Sequence, residues 1–114
     1  MKSNKIKNKK ILVIGGAAFI GHNLAIKLKS LGAIVTILDG LSVNNVNSVK
    51  KNDYKVPFPK LSLKILDERF KLIKKNKIEL KLIDAREHSK LSKAINDIKP
   101  EIIIHLAAVS HSNI

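Results

Sequence analysis

The chain has 114 residues, 45% of them hydrophobic, and its 22 lysines and arginines against 9 aspartates and glutamates give a formal net charge of +13. That length suits one domain burying roughly two-thirds of its unfolded surface, and the absence of cysteine excludes a disulfide framework and any thiolate metal site. The basic balance admits nucleic acid as a partner, but the lysines are scattered and aromatic residues make up only 4%, so stacking platforms are scarce and that reading is disfavoured.

The lysine-rich start, with Lys2, Lys5, Lys7, Lys9 and Lys10, reads as a basic N-terminal tail over residues 1–10. The apolar run behind it is too short for a signal peptide or a membrane span, so the chain reads as soluble and cytoplasmic, with no membrane partner. Residues 11–15 form a first strand without polar interruption, the pattern of a parallel strand covered on both faces. Ile20, Leu24, Leu28 and Leu31 then recur at helical spacing, with Lys27 and Lys29 facing out and Gly32 ending the helix. Residues 34–38 make the second strand, followed at once by Asp39. From 40 to 60 the sequence is polar and irregular, with several asparagines and with Pro57 and Pro59 around Phe58, and reads as a loop.

A helix is expected over 61–76, with Leu61, Ile65, Leu66, Phe70 and Ile73 as its apolar stripe. A strand follows over 78–83, alternating Ile78, Leu80 and Leu82 with Glu79 and Lys81. A short helix over 88–98 ends before Pro100, and 101–106 is a last apolar strand. This alternation is one mononucleotide-binding half of an α/β fold. It predicts a partial Rossmann-type doubly wound parallel sheet of four strands with three helices, in the order 3-2-1-4 because crossovers are right-handed.

The chemistry concentrates at the first strand-to-helix turn, Gly15-Gly16-Ala17-Ala18-Phe19-Ile20-Gly21. Backbone N–H groups at a helix start are unpaired and partly positive, and small residues before them let the phosphates of a dinucleotide approach. Asp39, at the carboxyl end of the second strand, has two readings. Its carboxylate accepts hydrogen bonds from the adenosine ribose and repels a 2′-phosphate, which favours NAD over NADP, or it starts a turn before Gly40. The histidines, His105 and His111 among them, have no acidic cluster beside them, and no metal site is assigned.

Four segments in this order, Gly15 to Gly21, Asp39-Gly40-Leu41-Ser42, Asp84-Ala85-Arg86-Glu87 and Ile104-His105-Leu106-Ala107-Ala108, resemble the N-terminal part of the extended short-chain dehydrogenases/reductases. That group contains the NAD-dependent epimerases and dehydratases of nucleotide-sugar metabolism. The resemblance implies NAD as cofactor, with Gly15, Ala18, Phe19, Ile20 and Gly21 at its pyrophosphate and Asp39, Gly40, Leu41, Ser42 and Asn44 around the adenosine ribose. By the same resemblance Asp84 and Ala85 meet the adenine, although Asp84 also reads as a helix-entry carboxylate. Leu106, Ala107, Ala108 and Ser110 would pass beneath the central part of the cofactor. His105 matches a position that is often histidine and is taken as structural. Ala18 stands where the family usually has glycine, so its methyl group bears on cofactor affinity.

The family's chemistry uses a tyrosine with a lysine four residues later, whereas Tyr54 here is followed at that distance by Phe58. No catalytic residue is therefore assigned. The expectation is a truncated member, an NAD-binding half domain over 11–114 that does not catalyse alone and meets a sugar nucleotide only in a full-length form. Its open fourth strand invites self-association. The alternative is a non-enzymatic dinucleotide-binding or partner-dependent module.

Overall fold

The computed structural model describes residues 5–40 and 59–106. Branched apolar residues build the two central strands, β1 (Lys10–Ile14) and β2 (Ile34–Leu38), each with four buried residues in five. The chain then alternates around them: α1 (Phe19–Ser30) joins β1 to β2, and α2 (Pro59–Lys75), β3 (Glu79–Lys81), α3 (His88–Ile98) and β4 (Ile102–His105) follow. All pairings are parallel and the order is β3-β2-β1-β4, as the sequence predicts. The register sets Ile14 beside Leu38 and His105, so the carboxyl ends of the central strands lie level.

Alternation along the strands feeds two cores. Ile11, Val13, Val35 and Ile37 pack with Ala25 of α1 and Ile73 of α2 on one face. Leu12, Ile14 and Leu38 pack with Ala94 of α3 on the other. Leu12 is fully buried. Leu12→Ala is expected to cost about 2–5 kcal/mol, read as a lower denaturant midpoint at unchanged slope.

The helix at 88–98 is observed as expected, and Lys99 follows it in the left-handed region (φ 52°) with its N–H on the Ile95 carbonyl. The apolar faces of the other helices differ from the predicted stripes. In α1 the buried residues are Gly21, His22 and Ala25, while Ile20 is 70% exposed. Small residues allow this helix to lie close against the sheet, and Ile26 and Leu28 pack at its flanks. In α2, Leu66 and Ile73 are buried and Phe70 joins the core, but Leu61 and Ile65 face out.

β3 is shorter than the predicted strand, because the Ile83 N–H donates to the Lys81 carbonyl at 3.1 Å and bends the chain off the sheet. Of the expected loop at 40–60, Pro59 and Lys60 belong to α2, and residues 41–58 lie outside the described residues. Ahead of β1, Ile6 packs on the first core and the Asn8 N–H donates to the Gly32 carbonyl at 2.9 Å. Among the described residues, no helix is long and apolar enough to cross a membrane.

Candidate functional site

The parallel strands deliver their carboxyl ends to one edge, and the loops leaving that edge bring together several of the predicted residues that are described. Gly15 makes the turn out of β1 with φ of 82°, a conformation natural to glycine, and its N–H donates to the Leu38 carbonyl at 2.7 Å. Gly21 is required for a different reason. A Cβ there would lie 2.5 Å from the Gly15 carbonyl oxygen and 2.6 Å from the Gly16 Cα, so the start of α1 rests directly on the turn's backbone.

Ala18 is the N-cap of α1 with φ −74° and ψ 172°, extended backbone open to any L residue. Alanine in the glycine position therefore puts no torsional strain on the turn. Ala18 provides no side-chain cap, and the first turn of α1 has no acidic residue. The N–H groups of Phe19, Ile20 and Gly21 precede the helix's repeating bonds and carry the positive end of its dipole. Side chains of Phe19 and Ile20 are 69% and 70% exposed at the rim.

Asp39 is buried at the end of β2, where its Oδ2 accepts the Ala17 N–H at 3.0 Å across the edge. Its own N–H donates to the Lys81 carbonyl at 3.1 Å. Gly40 lies against the next loop so closely that a Cβ would fall 2.9 Å from the Asp84 Cα. The glycine turn, Asp39, Gly40 and Asp84 thus form one edge of the molecule.

Asp84 is gripped by its own loop. Arg86 donates to the carboxylate from Nη2 at 2.6 Å, from Nε at 3.0 and 3.1 Å, and from its backbone N–H at 2.9 Å. The Arg86 side chain, more than the backbone bond, holds the Asp84 carboxyl down at about 2. Because the folded value lies below the unfolded one of ~3.9, the pair's stabilisation is present above that value and is lost as pH falls through about 2. Arg86→Ala is expected to move the Asp84 midpoint up toward ~3.9, followed by carboxyl carbon chemical shifts during acid titration.

Ala85 packs on the second core beside Ile83, and the Leu106 N–H donates to the Ile14 carbonyl at 2.8 Å. Leu41, Ser42, Asn44, Ala107, Ala108 and Ser110 lie outside the described residues, as does Tyr54. Gly16 and Ala17, named in the turn without a role of their own, and Arg69, which the sequence reading did not name, also stand at this edge. Gly16 packs so tightly on Ile37 that a Cβ would come within 2.8 Å of its side chain. Ala17 is fully buried, and Arg69 of α2 reaches its carbonyl at 3.0 Å. The available signal for Arg69 was a basic residue on the otherwise apolar face of α2.

A parallel sheet with a glycine turn after its first strand and a carboxylate ending its second is the nucleotide-binding edge of a Rossmann-type fold. The model of the NAD dependent epimerase/dehydratase family matches residues 11–113, and the chain belongs to that family. Protein CapI of Staphylococcus aureus is 32% identical over 99 residues, which cover 87% of this chain and 25% of that protein. Among solved structures, the epimerase Mth375 of Methanothermobacter thermautotrophicus superposes with a TM-score of 0.60 at 25% identity, covering 93% of this chain and 24% of that one. A UDP-glucose-4-epimerase of Stenotrophomonas maltophila, solved with NAD and formylated UDP-arabinopyranose, shares the fold at a TM-score of 0.61 and 18% identity, over 90% of this chain and 25% of its own. The chain spans about a quarter of the length of the curated relative it matches.

Proposed function

We propose that residues 11–114 form the NAD-binding half domain of a sugar-nucleotide epimerase or dehydratase, preceded by a basic segment over 1–10. The observation that carries this reading is Asp39, buried at the end of β2 and bonded through Oδ2 to the Ala17 N–H of the glycine turn. That bond holds the carboxylate proposed to read the ribose beside the turn proposed to bind phosphate. The close packing of Gly16 and Gly21 fits the same use, since side chains at either position would disrupt the turn that the phosphates approach.

In this reading the first-turn N–H groups of α1 offset the pyrophosphate charge, with Gly15, Ala18, Phe19, Ile20 and Gly21 forming the cradle. Asp39 accepts the ribose hydroxyls and repels a 2′-phosphate, Gly40, Leu41, Ser42 and Asn44 continue that wall, and Asp84 and Ala85 border the adenine. Leu106, Ala107, Ala108 and Ser110 follow β4 beneath the middle of the cofactor. NAD, when bound, supplies a hydride acceptor. No tyrosine–lysine pair at the family's spacing occurs in these 114 residues, so this segment is assigned binding and orientation, not proton transfer. The sugar nucleotide is assigned to the whole protein, in the cytoplasm. Exposed Ile102 and Ile103 on β4 mark where a further strand, or a second copy, would add.

Titration calorimetry with NAD, NADP and duplex DNA at two salt concentrations tests the proposal. NAD is expected to bind with weak salt dependence and at least tenfold more tightly than NADP. DNA binding that collapses with salt, with no heat from NAD, would overturn it.

A further inference from the structure

The face of α2 that packs on the molecule carries Leu66, Phe70 and Ile73 at helical spacing, and Arg69 stands in the same row. A guanidinium on a core-facing row loses hydration, which must be offset by directed bonds. Arg69 is partly buried, and its Nη1 donates to the Ala17 carbonyl oxygen at 3.0 Å. Burial pulls the Arg69 guanidinium below its ordinary value, and the Asp39 carboxylate pushes it back up.

Ala17 is consequently held from two sides. Its N–H donates to Asp39, and its carbonyl accepts from Arg69. The Ala17 carbonyl and the Ala18 N–H belong to one peptide plane, immediately before the first turn of α1. If that plane rotated, the Ala17 carbonyl oxygen would swing toward the side on which the Ala18 N–H donates to the Gly15 carbonyl at 3.4 Å, and the turn that sets the Phe19, Ile20 and Gly21 N–H groups would be lost.

We infer that Arg69 is a positioning residue for the pyrophosphate cradle, fixing the Ala17–Ala18 peptide by its bond to the Ala17 carbonyl. This rests on the NAD-binding reading above. Arg69 acts through the backbone and need not touch the cofactor, so its effect belongs to ligands that carry phosphate. Adenosine, which has the ribose and the base alone, should be indifferent to it.

The test compares the unaltered chain with Arg69→Met, which keeps an apolar stem, and Arg69→Lys, which keeps the charge but not the planar fork. Each is titrated with NAD by calorimetry and with adenosine by NMR, and each free protein is melted. Arg69→Met is expected to weaken NAD by roughly tenfold, the loss of about one directed bond to a charged group, while adenosine affinity changes less than about twofold. Arg69→Lys should fall between. NAD affinity unchanged in Arg69→Met, or equal losses for NAD and adenosine, overturns the inference.

Should Arg69→Met fail to fold, Arg69→Lys decides alone: a selective loss of NAD affinity supports the positioning role, and an unchanged or unselective one removes it. An unaltered chain that binds adenosine but is blind to the added pyrophosphate of NAD also removes it, leaving the ribose-binding part of the reading standing. An unaltered chain that binds neither overturns both.

Discussion

Asp39→Ala is expected to lower NAD affinity by about a hundredfold, the largest single effect on binding at this edge. Hydrogen bonds to a charged acceptor are each worth about 1.5–3 kcal/mol, and the ribose hydroxyls would lose theirs. The folded protein also loses an acceptor, because the buried bond from the Ala17 N–H to Oδ2 has no replacement. Leaving that donor unsatisfied costs roughly 1–3 kcal/mol of stability, so the denaturation midpoint should fall as well. Asp39→Asn separates the two effects. An amide oxygen can still accept from Ala17, so stability should recover, but the negative charge is gone and the discrimination against NADP should narrow. Calorimetry with both cofactors and denaturant melts of both variants check this. NAD binding unchanged in Asp39→Ala would remove the ribose role.

Gly21→Ala is expected to destabilise the fold by on the order of 2 kcal/mol, the overpacking cost of one methyl group against fixed atoms. In an ordinary exposed helix the same change stabilises by about 1 kcal/mol, because glycine is a poor helix former. Here the new Cβ would meet the Gly15 carbonyl oxygen at 2.5 Å and the Gly16 Cα at 2.6 Å, both backbone atoms that cannot rotate aside. The start of α1 would have to lift off the turn, moving the N–H groups proposed to receive the phosphates, so NAD affinity should drop with stability. A raised melting temperature in Gly21→Ala would show that the helix does not rest on the turn.

The strand order was legible because uninterrupted apolar runs with helices between them admit few parallel topologies, and right-handed crossovers leave the order observed. Gly15, Gly21 and Asp39 were legible for a related reason, since their residue types are tied to a local backbone need or to a charge at a strand end. The buried face of α1 was not. Hydropathy pointed to Ile20 and Leu31, whereas close packing selected Gly21 and Ala25, and no hydropathy scale rewards small size at a contact; His22 is buried with its Nδ1 3.0 Å from the Ala18 carbonyl oxygen. Arg69 was hidden differently, because its partner is a backbone carbonyl distant in sequence, and a carbonyl leaves no mark in the residue type. Asp84 was named as a candidate site residue, but its pairing with Arg86 two positions on could be seen only once the loop geometry was known.

The most direct measurement is an amide NMR titration of the isotope-labelled chain with NAD. Shifts should concentrate at Gly15, Gly16, Ala18 to Gly21, Asp39, Gly40, Asp84 and Ala85, with the far ends of α2 and α3 unmoved. Silence at Gly15 to Gly21, or shifts spread over the lysine-bearing helix faces, would contradict dinucleotide binding at this edge.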